Sequence, residues 1–484
     1  MQNSKQKSIT VNMILNMVKG VMGVIFPLIT FPYISRVLGV DKVGEYNFAS
    51  SIVSYFSLVA ELGISTYAIR NGAGIRDNKR ELETFVSQIF TINMLSTAIS
   101  YFLLLFLVIY ANSMNGRVIV LILSLQIVFK TIGIEWLYSI YEDYLFITIR
   151  SILFQFLALL LMFIFVRSEE DIVWYAIITV VSTAGRGGLG WIRARKYSKV
   201  RLTLFPNIKK HIKPILLFFA TNLTVIIYVN SDITILGLIS GNHAVGIYSV
   251  SAKVYSLVKN ILASAIIVSI PRMSQLWENK KMKEFHMLGE EIYDTFLTWV
   301  IPVIVGIILL SKEIIILIAG IEYIEAQISL IILSIALFFC LGAGFWSQGV
   351  MIPQGKEKVV FRVTAISAIV NIILNFMLIP FFQERAAALT TVVAEAIVFF
   401  YCRKVCMRSI GYFEKGTIVL KIFVGCIPIV IISMLIGQFI SIGWIKIVLI
   451  IGMSILIYVI IEGKLGNKTI IKYKNEILNK MRRK

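Results

Sequence analysis

Ser249, Lys253, Ser256 and Asn260 follow one another at steps of four, three and four, which sets a cation and three hydrogen-bonding groups on one face of a helix. Shifted back by 202 residues, that face reads Asn47, Ser51, Ser54 and Leu58, beside a companion row of Asn47, Ser50, Ser54, Ser57 and Glu61. Asn12, Asn16 and Lys19 share another face, and Asn222, Asn230 and Asp232 fall in a further apolar run. Groups of this kind bind: a cation compensates negative charge, and hydroxyls and amides hydrogen-bond a polar body. Signs of bond-making chemistry are missing. His211, His243 and His286 sit in or beside separate loops and make no metal-ligand spacing. No G-x-x-x-x-G-K-[ST] is present, which argues against a chain that hydrolyses ATP by itself. GRGGLG at 185–190 begins late in a hydrophobic run, not after a strand, and reads as glycine for helix packing. Cys340 and Cys426 lie in apolar runs and Cys402 and Cys406 end another, so no disulfide is expected.

The elements that position these groups follow from composition. With 58% hydrophobic residues, 15% charged and a mean hydropathy of +0.85, the 484 residues hold more apolar side chains than a soluble core could bury. A hydrocarbon layer of about 30 Å takes about 20 helical residues, and fourteen apolar runs of that kind are present. They lie near 9–33, 44–67, 83–111, 117–138, 145–166, 171–192, 213–239, 245–270, 291–310, 326–350, 359–381, 385–402, 416–437 and 443–462. The first, preceded by Lys5 and Lys7, is too long for a signal peptide and carries Lys19, so it is read as a retained helix.

Lys and Arg concentrate after every second run: Arg70 to Arg80, Arg193 to Lys210, Arg272 to Lys283, Lys356 and Lys358, Arg403 to Lys415, and the tail from Lys464 to Arg483 and Lys484. Cytoplasmic loops carry such an excess, so both termini are expected in the cytoplasm, and Gly116, Asn242 and Ser441 outside. The loop holding Glu142 and Asp143, with no basic residue, is the one place where the rule is silent. The formal net charge of +20 is thereby topology signal and attraction to anionic membrane lipids rather than a nucleic-acid footprint.

VGEYNFAS at 43–50 and VGIYSVSA at 245–252 share Val-Gly-x-Tyr, and the same offset of 202 places Arg70 on Arg272. The expected fold is an all-α integral membrane protein of fourteen transmembrane helices, with two parallel six-helix lobes related by a pseudo-two-fold along the membrane normal. The lobes are 1–205 and 206–410; two further helices occupy 411–462 and a basic cytoplasmic tail 463–484. A Lys or Asp at mid-membrane costs about 2.5–3.5 kcal/mol on insertion scales and should face a cavity or a partner. Blander readings stay open: Lys19 pairing with Asp232 or Glu61, Asp294 interfacial, Lys259 snorkelling, Lys130 and Glu135 as anchors, and Arg150 and Arg362 placed by topology alone.

FPYISRVLGVDKVGEYNFASSIVSYFSLVAELGI (31–64), EWLYSIYEDYLFITIRSIL (135–153) and GKEKVVFRVTAISAIVNIILNFMLIPFFQERAAALTTVVAEA (355–396) together resemble the polysaccharide transporter family. That family is a branch of the multidrug/oligosaccharidyl-lipid/polysaccharide exporter superfamily and contains the Wzx-type O-antigen flippases. The resemblance is carried by Pro32, Gly39, Gly44, Tyr46, Glu61, Gly63, Glu142, Arg150, Asn371, Asn375, Pro380 and Glu395. It implies a multidrug-exporter-like, V-shaped fold in the bacterial cytoplasmic (inner) membrane. It also implies a flippase, not an enzyme, that moves an undecaprenyl-pyrophosphate-linked oligosaccharide to the outer leaflet, with polysaccharide polymerase or chain-length proteins as possible partners. On that reading Lys19 and Lys253, with Arg150 and Arg362 next, face the pyrophosphate, while Asn47, Ser51, Ser54, Ser249, Ser256 and Asn260 line the sugar cleft. No cofactor is expected beyond a coupling H⁺ or Na⁺, for which Asp232, Glu61 and Glu395 are candidate sites. A lipid II flippase, a multidrug antiporter and, in another class, a membrane glycan polymerase or ligase are the rival readings.

Overall fold

The computed structural model describes residues 9–110, 116–204, 206–411, 417–439 and 443–482. Lys5, Lys7, Lys415, Ser441, Arg483 and Lys484 lie outside them. In chain order the helices are α1 (Ile9–Glu61), α2 (Ile64–Ile75), α3 (Lys79–Tyr110), α4 (Arg117–Gly133), α5 (Glu135–Ile140), α6 (Tyr144–Phe165) and α7 (Ile172–Ala194). They continue with α8 (Ile208–Ile239), α9 (Gly241–Glu278), α10 (Met282–Ile318), α11 (Ala326–Gly344), α12 (Glu357–Ile410), α13 (Thr417–Phe439), α14 (Trp444–Lys464) and α15 (Lys468–Arg482). A lipid interior offers backbone amides no water, so a chain of this hydropathy satisfies them within helices. Large apolar side chains then face outward, such as Phe102 at 70% and Ile109 at 66% exposure on α3.

By length and composition, twelve helices among the described residues can cross a membrane, against fourteen apolar runs. The numbers differ because two of the twelve each hold two runs. Gly39 (φ 70°) interrupts α1 and Gln383 (φ 46°) interrupts α12, the first between the runs expected at 9–33 and 44–67 and the second between those at 359–381 and 385–402.

By packing, the chain divides into two compact units, Met1–Gly246 and Ile247–Lys484. This division falls later than the repeat boundary expected at 205/206, because α8 packs on α1, α2 and α3. In the first unit a core that includes Ile64, Leu82, Ile89, Leu137 and Tyr138 joins α2 to α6. In the second, Phe285, Phe296, Trp346, Phe399, Ile422 and Tyr458 bring α10 to α14 together. The tail expected at 463–484 is helical in its described part. Asn467 caps α15 by accepting from the Thr469 amide at 3.0 Å, and it donates to Glu462 at 2.7 Å, while Lys472 forms an ion pair with Glu291 on α10.

The repeated Val-Gly-x-Tyr has a mutual role inside the first unit. A Cβ on Gly44 would lie 1.8 Å from the Asn242 carbonyl oxygen, and one on Gly246 would lie 2.1 Å from that of Val40. Val40 and Asn242 are themselves 202 residues apart. So are Asp41 and His243, whose Oδ1 and Nδ1 lie 3.2 Å from one another. Each copy of the glycine admits the backbone that precedes the other copy.

The acidic loop on which charge patterning is silent is also accounted for. Glu142 accepts from Arg76 Nη1 at 2.9 Å, and Asp143, 2% exposed, accepts from Arg193 Nη2 at 2.8 Å and the Tyr197 hydroxyl at 2.6 Å. Burial and the Asp143 carboxylate push the Tyr197 phenol up to about 12, so it remains a donor at any cellular pH. The loop therefore lies at the same end of the unit as the two basic loops that supply Arg76 and Arg193.

Candidate functional site: a charged cavity at two helix breaks

Two helices of the first unit stop inside it. α1 ends at Glu61, the chain turns through Leu62 (φ 49°) and Gly63 (φ 75°), and α2 begins at Ile64. Gly63 is fixed twice over, since a Cβ there would also lie 2.6 Å from the Phe219 amide nitrogen. α4 ends at Gly133, and Ile134 links it to α5 with φ 42° and ψ 46°. A β-branched residue in the left-handed region is strained, and such strain persists only where surrounding structure enforces it. The two breaks deliver one carboxylate each, Glu61 and Glu135, to a cavity of about 330 Å³ that Lys130, Arg150, Thr183 and Arg186 also line.

Arg150 on α6 is the fixed cation, with its side chain 3% exposed. Its Nη2 lies 3.0 Å from Glu135 Oε2 and its Nη1 donates to the Arg186 carbonyl at 2.7 Å. The Tyr138 and Phe146 rings flank the guanidinium at 5.6 and 5.2 Å. Glycine on α7 makes the room: a Cβ on Gly190 would lie 2.6 Å from both Arg150 Nη1 and the Gly133 carbonyl oxygen, and one on Gly187 2.4 Å from that of Phe129. GRGGLG is thus a packing segment, and the space it leaves holds the guanidinium.

Lys19 comes from α1 and meets Glu135 Oε1 at 3.0 Å, so Glu135 bridges Lys19 and Arg150. Both ends of that contact are open, with side chains 40% and 50% exposed. Arg186 donates to Thr183 Oγ1 and to the Ser182 carbonyl oxygen, each at 3.2 Å. Lys130 and Glu61 interact electrostatically across the cavity. Among the described residues, neither Lys130 nor Arg186 has a carboxylate within 4 Å. Lys19, Lys130, Arg150 and Arg186 outnumber Glu61 and Glu135, which leaves an excess of two positive charges.

Several readings of single residues change here. Lys130, in the last turn of α4, and Glu135, placed by the break at Ile134 at the start of α5, both line the cavity instead of anchoring a helix end. Lys19 pairs with Glu135, not with Asp232 or Glu61. Arg150 is buried rather than set at a surface by topology. Arg186 went unrecognised; its signal, an arginine among four glycines in an apolar run, was present.

The remaining candidates lie elsewhere. Ser51 accepts from Thr234 at 3.0 Å and donates to the Phe48 carbonyl, and Ser54 donates to that of Ser50, so that stretch of the stripe joins α1 to α8; Asn47 is half-buried beside it. Asp232 is buried on α8. In the second unit Ser249 and Glu395 are buried, Ser256 is half-buried, and Asn260 and Arg362 are exposed. Lys253 is half-buried with no ion pair or hydrogen bond among the described residues, and Lys259 lies 5.2 Å from the Tyr255 ring centroid. Asn371, Asn375 and Thr390 form a buried network, in which Asn375 donates to Asn371 at 3.2 Å and accepts from Thr390 at 2.5 Å.

Comparison with known proteins gives the fold and the family. In Escherichia coli (strain K12) a protein named "Putative O-antigen transporter" is 25% identical over 82% of this chain and 96% of its own length. The Staphylococcus aureus capsular polysaccharide biosynthesis protein CapF is 27% identical over 75% of this chain and 90% of its own. Among solved structures, the lipid II flippase MurJ in an inward closed conformation superposes with a TM-score of 0.76, 17% identity and coverage of 97% of this chain and 100% of that one. An inward-facing multidrug resistance MATE family transporter of the MOP superfamily superposes with a TM-score of 0.59 and 13% identity over 84% of this chain and 97% of that one. These likenesses show the fold, a membrane-transporter fold of helices. The profile of the polysaccharide biosynthesis protein family matches residues 9–277, more than half of the sequence, and the chain belongs to that family.

Proposed function

We propose that this chain is a flippase that moves an undecaprenyl-pyrophosphate-linked oligosaccharide from the cytoplasmic to the outer leaflet of the bacterial inner membrane by alternating access. The observation that carries this reading is the excess of two positive charges around the cavity at the helix breaks. A disubstituted pyrophosphate carries two negative charges, and compensating them inside a membrane lowers a barrier that would otherwise be prohibitive. Arg150, Lys19, Lys130 and Arg186 supply that compensation; the sugar finds hydroxyl and amide partners, and the prenyl tail stays in lipid. Lys253, on α9, is a further candidate contact of the cargo. An ion gradient supplies the energy, with Glu61 in the cavity and Asp232 and Glu395 as the ion-binding carboxylates. Kinship with proteins named for O-antigen and capsule supports a surface glycan as the cargo class.

The test is complementation of a deletion strain at matched membrane levels, with surface glycan and retained lipid-linked glycan both measured. Arg150→Gln is expected to abolish surface glycan, and Arg150→Lys to retain part of it, because lysine keeps the charge without the forked geometry. Normal export by Arg150→Gln would show that the cavity does not carry the cargo. Retention of a peptidoglycan precursor in the deletion strain would reassign the cargo to lipid II.

A further inference from the structure

The inner leaflet holds a great excess of ordinary phospholipid, whose phosphodiester headgroups bring a phosphate but one negative charge. A cavity that only attracted phosphate would fill with them. We propose that Glu135 sets a charge threshold: it occupies Lys19 and Arg150 in the empty cavity, so that a group with one negative charge finds only Lys130 and Arg186 open, whereas a group with two engages both pairs by displacing the carboxylate. The proposal rests on the reading of the cavity as the pyrophosphate site.

Glu135 gives one oxygen to Lys19 and the other to Arg150, both at 3.0 Å. Those are the contacts that an entering phosphate oxygen would seek. A single-charged headgroup that displaced the carboxylate would exchange one negative charge for another, gaining nothing Coulombically while Glu135 had to be accommodated elsewhere. A pyrophosphate brings a second charge. One of its phosphates takes the place of Glu135 beside Lys19 and Arg150, and the other meets Lys130 and Arg186, which have no carboxylate within 4 Å among the described residues. Glu61, the other carboxylate lining the cavity, faces Lys130 and keeps the excess at two rather than three. Displacement is feasible because the Glu135 side chain is 50% exposed to the cavity, whereas Arg150 beneath it is 3% exposed and stays fixed.

The experiment uses the purified full-length protein in a non-ionic detergent and two matched probes, dimethyl pyrophosphate with two charges and dimethyl phosphate with one, titrated calorimetrically. The parent protein is expected to bind dimethyl pyrophosphate and to bind dimethyl phosphate at least roughly tenfold more weakly. Glu135→Gln is expected to bind dimethyl phosphate about tenfold more tightly than the parent, collapsing the preference, while Glu135→Asp retains it. Reconstituted in phosphatidylcholine vesicles containing phosphatidylglycerol, Glu135→Gln should also begin to translocate a fluorescent phosphatidylglycerol that the parent leaves alone. An unchanged preference in Glu135→Gln, or equal weakening of both probes, would overturn the proposal and leave Glu135 as an orienting partner of Arg150. A parent protein that binds neither probe would overturn the pyrophosphate reading itself, and the threshold with it.

Discussion

Lys253 and Arg150 answer the problem of a cation inside a membrane in opposite ways. Arg150 is enclosed, bonded to Glu135 and flanked by two rings, so its charge is fixed in place before any cargo arrives. Lys253 is half-buried in an apolar helix with no partner among the described residues, a state that costs about 2.5–3.5 kcal/mol on insertion scales. On the flippase reading proposed above, the phosphate of the cargo offsets that cost, and Lys253→Ala removes a charge-assisted contact worth about 1.5–3 kcal/mol. Export in complemented cells should fall at matched membrane level, furthest for Lys253→Glu and least for Lys253→Arg. Parent-like surface glycan from Lys253→Ala and Lys253→Glu would make Lys253 an anchor.

At the scale of elements, the site depends on how close α7 approaches α4. Gly187 and Gly190 let the two backbones meet, and Gly190 also clears the space for the Arg150 guanidinium. Gly190→Ala should therefore act as overpacking, destabilising by about 1–3 kcal/mol and lowering both the thermal unfolding midpoint of the purified protein and export. Gly188 on the same helix has nothing within 4 Å of where a Cβ would sit, so Gly188→Ala should leave the midpoint unchanged or raise it slightly. Equal midpoints for the two variants would show that the α4–α7 contact does not limit stability. The break at Ile134 belongs to the same unit of design: it turns the chain so that Glu135 opens α5 inside the cavity instead of continuing α4.

For the whole molecule, we propose from the alternation of basic loops that one end of the helices faces the cytoplasm. The ion pairs of Glu142 with Arg76 and of Asp143 with Arg193 bring the acidic loop to that same end. Single cysteines at Lys79, Lys210 and Arg408 should resist impermeant thiol reagents applied to intact cells, while cysteines at Asn242 and Glu322 should react. Labelling of Lys210→Cys from outside would overturn the orientation. A cysteine at Glu142 belongs with the protected set, although the charge of its own loop gives no hint of it.

The apolar runs were enough to locate the helices, because a bilayer leaves the backbone no alternative to bonding with itself, but not their limits: α9 runs on to Glu278 against an expected 270, and α10 spans Met282–Ile318 against 291–310. The offset of 202 was legible as well, and the structure gives it a cause in Gly44 and Gly246, each of which accepts the other's neighbouring backbone. Residue types could mark Lys19, Glu61 and Arg150 as costly in lipid, and hence as facing something. Tertiary structure alone decided what they face. Lys19 and Glu135 are 116 residues apart; Glu135 enters the cavity through a break at an isoleucine, and Arg150 sits in a space left by glycine. Helical periodicity reports which residues share a face of one helix. It is blind to a charge supplied by another helix and to a left-handed turn at Ile134, an ordinary apolar residue by type, where the surrounding packing rather than local preference sets the backbone.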